Sequence, residues 1–242
     1  MHRFFVDKSS IADNQISITG DDFRHIKTVL RLLPGENVIL CDSCGTDFLC
    51  EIESFEKDFV RTKIIEKTQN ISEPNVQITL FQGYPKADKM DFIIQKCVEL
   101  GITQIVPMLT ERSVVRLDKA KATKKLERLQ KISEAAAKQS GRGIIPKILP
   151  ISTFLQALEL STTLDGAIIP YEKEQVTTLK TFASAYNGNS VGIFIGPEGG
   201  FSETEISAAK AANVLPVTLG RRILRTETAG LVSTAILLHE LD

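Results

Sequence analysis

The pattern of apolar and polar positions changes character about a third of the way along the chain. Up to about residue 70, apolar residues fall in short runs, at 4–6, 15–18, 37–41, 47–52 and 59–65, separated by turn residues. Each run has strand length, and strands at this density predict a small β-barrel. Between the second and third runs, 21–32 reads as a helix with Phe23, Ile26, Val29 and Leu30 at helical spacing, ended by Pro34-Gly35. The polar segment 69–75 contains Pro74 and is the best linker. Beyond it strands (76–82, 104–108, 144–149, 166–170, 191–195, 214–219) alternate with helices (88–100, 119–140, 152–160, 178–185, 202–213 and from 227 onward). In the long helix Leu126, Leu129, Ile132 and Ala136 are expected to face inward, and in the last one Leu231, Val232, Ile236 and Leu237. Such alternation predicts an α/β domain built on a mostly parallel sheet covered on both faces. The expected division is 1–71 and 72–242.

Residues 190–241 form two consecutive strand-loop-helix units. The first strand is broken by Gly196-Pro197-Glu198-Gly199-Gly200, and Ser202 with Glu205 has the spacing of a capping box. The second strand closes at Gly220 and is followed by the polar loop 221–226. Both loops leave the carboxyl ends of parallel strands, where open α/β sheets hold ligands. Glycines there let the backbone approach a ligand without intervening Cβ atoms.

Composition narrows the chemistry. The formal charge is −1, with 43% apolar and 24% charged residues, an ordinary globular balance. The absence of a signal-like or membrane-spanning run leads us to expect a cytoplasmic protein. Cys41 and Cys44 form a CxxC, but Cys50 has no partner that would complete a zinc set, so reduced thiols and no metal are expected, with zinc as the alternative. Segment 111–142 holds ten basic and four acidic residues, which suits either a solvated face or a phosphate backbone. The three histidines are scattered, and neither a P-loop nor a G-x-G-x-x-G follows a strand. A cradle of backbone and short polar groups with arginines nearby remains. It suits a cofactor that brings its own reactive atom.

GPEGGFSETE and LGRRILRTETA resemble the C-terminal motifs of the SPOUT methyltransferases, and more narrowly the ribosomal RNA small subunit methyltransferase E family. HRFFV at the start, VLRLLPGE at 29–36, the stretch 85–115 and KLERLQKISEAAAKQSGR at 125–142 extend the resemblance over nearly the whole chain. Two departures are Arg24-His25, where the family often has paired histidines, and Leu126, where it has a tryptophan. The resemblance implies a PUA-like β-barrel followed by a knotted (trefoil) α/β domain that binds S-adenosylmethionine. It also implies homodimers and methylation of N3 of a specific uridine in 16S rRNA of the small ribosomal subunit.

On this reading Gly196, Pro197, Glu198, Gly199 and Gly200 line one side of the cofactor pocket. Leu219, Gly220, Ile223, Leu224 and Arg225 line the other, with Thr226 and Thr228 as hydroxyl partners. Arg225 is the candidate to stabilise a uridine anion, and Glu227 the candidate base. For RNA the candidates are Arg3, Arg24, Arg31, Lys86, Lys89, Arg112, Arg116, Gln139 and Arg142. Two other classes are weighed: a non-catalytic RNA-binding ribosome-assembly factor, and a nucleotide-binding enzyme using the glycine loop for phosphate. The missing P-loop lysine counts against the latter.

Overall fold

The structure is a computed structural model that describes residues 1–113 and 119–242, with residues 119–121 described by their backbone alone. It divides into two compact units, Met1–Glu73 with Ala137–Ile145, and Pro74–Ala136 with Pro146–Asp242.

The first unit is a six-stranded sheet. Its strands are β1 (His2–Phe5), β2 (Ile11–Ala12), β3 (Gln15–Thr19), β4 (Asn37–Cys41), β5 (Thr46–Phe55) and β6 (Phe59–Gln69), in the order β1-β4-β5-β6-β3-β2. Every pairing is antiparallel except β1 with β4. Register shifts at Leu49/Cys50 and Ile52/Ser54 curve the long β5–β6 ribbon, as bulges do. No ladder joins β1 to β2, so the hydrogen-bonded sheet is open where a barrel was expected. Phe4, Ile16, Ile18, Ile26, Leu40 and Val60 fill the core.

The helix expected over 21–32 is a short α1 (Gly20–Arg24) continuing as a π-turn over His25–Leu30. Because that turn is wider than an α-helix, the position after Ile26 that points inward moves from Val29 to Leu30. Val29 is accordingly 65% exposed, against the sequence expectation.

Residues 137–145 are held in this unit by a polar network. Arg142 donates to Glu73 through Nε (2.9 Å) and Nη2 (2.6 Å), and Glu73 also accepts from the N–H of Gly143 (2.8 Å). Arg3 donates to both oxygens of Asp47 and to the Arg142 carbonyl. Asn70 joins Asp47 to the Gly141 carbonyl. Cys41 is buried and donates to the Gly143 carbonyl, and burial pushes its thiol up to about 12.

The second unit carries a parallel sheet. Its strands are β7 (Gln77–Gly83), β8 (Gln104–Leu109), β9 (Lys147–Ile148), β10 (Ser152–Thr153), β11 (Gly166–Pro170), β12 (Ser190–Ile195) and β13 (Leu215–Val217). The order is β10-β8-β7-β12-β11-β13, with β9 beside β8. Its helices are α2 (Lys89–Leu100), α3 (Lys119–Ser140, whose last residues belong to the first unit), α4 (Phe154–Ser161), α5 (Leu179–Ala185), α6 (Glu203–Ala211) and α7 (Thr226–Leu241). β7 and β12 are buried on both faces, as strands covered on both sides must be. Phe81 and Phe194 stack across that central pair at 4.3 Å between centroids.

Two local expectations change. The N-cap of α4 is Thr153, in a full capping box with Gln156, one residue after Ser152. On α7 the buried positions are Thr226, Gly230, Ser233, Thr234, Leu237 and Leu238, while Leu231 and Val232 are half-buried and Ile236 is exposed. Polar and apolar residues are spread round the helix axis, and two of the polar ones, Ser233 and Thr234, are buried, so periodicity could not choose its inner face. Small residues let it approach β7, where a Cβ at Gly230 would stand 3.3 Å from Gln82 Oε1. Among the described residues, no helix is long and apolar enough to cross a membrane.

Candidate active site

Because β11, β12 and β13 are parallel neighbours, the loops that follow them emerge at one edge of the sheet. They enclose a cleft of about 1140 Å³, completed by Lys89 of α2 and by Thr226 and Ala229 of α7. The first wall is Gly196–Gly200. Gly200 sits at φ +65° and returns its N–H to the Pro197 carbonyl at 2.9 Å, closing a tight turn. Pro197 packs so closely on the end of β7 that a Cβ at Gly83 would lie 2.6 Å from its ring. Ser202 and Glu205 then start α6 with a complete capping box.

The second wall, 218–225, turns at Gly220 (φ +100°), whose N–H is accepted by Thr218 Oγ1 at 3.2 Å. Thr226 ties the walls together. Its hydroxyl donates to the Gly196 carbonyl at 2.6 Å and accepts from Gln82 Nε2 at 2.9 Å. The third wall, 171–178, is shaped by Glu174, whose Oε1 accepts from the N–H of Gln175, Val176 and Thr177 at 3.1, 2.8 and 3.0 Å. Those three donors hold the Glu174 carboxyl below its usual range.

Charge is concentrated where the walls meet α2. Lys89 Nζ lies 3.0 Å from Glu198 Oε1 and 3.5 Å from Glu227 Oε2. The hydrogen bond to Glu198 raises the Lys89 ammonium above its ordinary value. Burial pushes the Glu198 carboxyl up, but hydrogen bonds from its own backbone and from Lys89 outweigh that and leave it lowered. Arg112 Nη1 donates to the Gly199 carbonyl at 2.7 Å, bracing the glycine turn from outside.

Comparison with known proteins decides the family. A profile described as an RNA methyltransferase domain matches residues 72–238, and one described as an RNA methyltransferase PUA domain matches 18–65. Ribosomal RNA small subunit methyltransferase E of Bacillus subtilis is 35% identical over 250 residues, covering 100% of this chain and 98% of that protein. This chain belongs to the ribosomal RNA small subunit methyltransferase E family. The family's enzyme from Neisseria gonorrhoeae, solved bound to S-adenosyl methionine, is 33% identical with a TM-score of 0.86, covering 99% of this chain and 97% of that one. A putative methyltransferase from Legionella pneumophila, solved in complex with the same cofactor, is 29% identical with a TM-score of 0.87, covering 98% and 96%.

The family motifs named from sequence meet in the cleft: Gly196, Pro197, Glu198, Gly199, Gly200, Leu219, Gly220, Ile223, Leu224, Arg225 and Thr226 all line it. Thr228 does not. It lies on α7 one residue short of Ala229, which does line the cleft, and is exposed. Glu227 is not a lining residue either and meets the site through Lys89.

The RNA candidates divide. Arg142 is 2% exposed and bound to Glu73, and Arg3 is engaged by Asp47, so both guanidiniums are internal braces and not a presented surface. Arg24, Arg31, Lys86, Arg112 and Gln139 are exposed, Lys89 is neutralised within the cleft, and Arg116 lies outside the described residues. Sequence reasoning missed Tyr171, Glu172, Glu174, Gln175 and Thr178, because the loop after β11 carries no glycine or arginine motif. It also passed over Gln82, although a glutamine following the apolar Leu80-Phe81 pair near the strand end was a readable signal. Among the described residues, no cluster of three or more His, Cys, Asp or Glu could hold a metal.

Proposed function

We propose that this chain transfers the methyl group of S-adenosylmethionine to N3 of a specific uridine in 16S rRNA. The observation that carries the reading is the cleft itself, two main-chain turns that follow parallel strands on either side of β11, with the Thr226 hydroxyl bonded to the first. Its lining fits the cofactor: the glycines let the main chain approach a base closely, Leu224 offers an apolar face, and Glu172 suits a cationic group. When bound, the cofactor supplies a sulfonium-activated methyl.

The residues of the chain do the rest. The walls hold the reactants in line, which supplies much of the barrier reduction. Arg225, at the cleft and with its backbone in extended conformation before α7, stabilises negative charge developing at the uridine O2 or O4. Glu227, two positions on, takes the N3 proton, and its ion pair with Lys89 ties it to the cleft.

The same reading includes a trefoil knot and a homodimer. α7 leaves the edge strand β13 yet packs against α2, α5 and the central strands, a return path that suits threading. Exposed Phe92 on α2 and Ile236 on α7 suit contact with a second copy. With the small subunit as substrate, the site of action is the cytoplasm.

The test is mass-spectrometric mapping of 16S rRNA from cells lacking this protein, with complementation by wild type and by Glu227→Gln. Loss of one N3-methyluridine, restored by wild type only, is expected. An unchanged modification map, together with no binding of S-adenosylhomocysteine in calorimetry, would favour the non-catalytic assembly factor.

A further inference from the structure

The loop 218–225 carries more positive charge than one cofactor can use. Arg221, Arg222 and Arg225 are all exposed on it, and no described carboxylate pairs with any of them. Other cations around the cleft and on this unit are paired: Lys89 with Glu198 and Glu227, Arg128 with Asp91, Lys173 with Glu203. Two of the three carboxylates lining the cleft are committed, Glu198 to Lys89 and to the Lys86 N–H, and Glu174 to its three backbone donors. Between the arginines Ile223 stands 81% exposed, an aliphatic side chain held in water with no core to join.

Unpaired guanidiniums beside a projecting apolar group match one ligand chemistry well. A splayed RNA strand offers phosphates for the charges and a base face for the aliphatic side chain. A second copy of this chain fits less well, because a symmetric contact would set like charges against each other. We propose that Arg221 and Arg222 grip the RNA backbone on either side of the target nucleotide, and that Ile223 packs on a neighbouring base. This rests on the methyltransferase reading and extends it, since the RNA then meets the same loop that walls the cofactor cleft.

The experiment measures binding of unmodified 16S rRNA across a salt series, with S-adenosylhomocysteine affinity and sedimentation recorded in parallel. For R221A/R222A the salt slope should fall by about 1.4, roughly 0.7 per lost phosphate contact on a single strand. R221K/R222K should keep the slope, and Ile223→Ala should lower affinity while leaving the slope unchanged. A wild-type slope in R221A/R222A overturns the proposal, and a simultaneous change in sedimentation would assign the loop to contact between copies. Loss of S-adenosylhomocysteine binding in step with RNA binding also overturns it, because the cleft itself would then have collapsed. Failure of the wild-type protein to bind S-adenosylhomocysteine would overturn the methyltransferase reading, while the salt slope would still decide this one.

Discussion

Thr226 Oγ1 donates to the Gly196 carbonyl at 2.6 Å, joining residues thirty positions apart in sequence at the centre of the cleft. The same hydroxyl accepts from Gln82, so three segments that share no sequence neighbourhood depend on one oxygen. Replacing it with a shape-matched methyl leaves buried polar groups without that partner, at a cost of about 1–3 kcal/mol. Thr226→Val should therefore lose about that much in urea unfolding, together with S-adenosylhomocysteine affinity. Thr226→Ser should recover most of both. Equal stability of the two variants would remove the hydroxyl from the argument.

Gly83 is the position where one added carbon is most informative. Its Cβ would stand 2.6 Å from both the nitrogen and the Cδ of Pro197, with backbone on one side and no flexible side chain to yield. Gly83→Ala should displace the glycine turn and weaken S-adenosylhomocysteine by about tenfold or more, equivalent to about 1.4 kcal/mol. Calorimetry giving wild-type affinity would show that the turn can move without consequence.

Lys89 is the cation shared by two carboxylates, and Glu227 Oε2 is buried with Lys89 as its ion-pair partner. Stability here depends on pH through proton linkage. The lowered Glu198 carboxyl stabilises the fold above its ordinary value of 4.5, and that contribution fades as pH falls through the folded value. The raised Lys89 ammonium contributes below 10.5 and fades as pH climbs through its folded value. The melting difference between wild type and Lys89→Met should thus be widest between those limits and narrow on both sides.

Arg142 is expected to matter for folding and not for RNA. Removing one partner of a buried ion pair costs about 3–5 kcal/mol, because the other charge is left uncompensated. Arg142→Ala should show a loss of that order in denaturant unfolding and leave the salt slope of RNA binding unchanged. A normal stability with a reduced slope would return Arg142 to the RNA surface.

Thiol accessibility separates the cysteines. Cys44 is exposed, whereas Cys41, Cys50 and Cys97 are buried, with burial raising them to about 12, 11 and 12. One rapid thiol per native chain should react with an aromatic disulfide reagent at neutral pH, and four after unfolding. Two rapid thiols would mean that Cys41 is open and that the CxxC pair can act together.

The sequence was most legible where local chemistry fixes structure. The capping box at Ser202–Glu205 forms as read, the long helix spans 119–140, and the glycine and arginine loops meet at one sheet edge. What stayed hidden depends on contacts between distant residues. Strand order alone brings the loop after β11 between the other two walls, and nothing local marks Glu174 as its organiser. Arg142 and Arg3 look like surface charges in sequence because their partners, Glu73 and Asp47, lie sixty-nine and forty-four residues away. Val29 was misplaced because a π-turn alters the spacing on which the helical pattern depends.

The polar ties that hold residues 137–145 to the first sheet also govern the order in which the polypeptide can mature. During synthesis, all six strands of that sheet leave the ribosome while Gly141, Arg142 and Gly143 are still to be translated. Until then Glu73 has no guanidinium, and the Cys41 thiol has no carbonyl to meet. An N-terminal fragment ending near residue 73 would stay short of its final packing, and a peptide carrying the missing nine residues should complete it in trans.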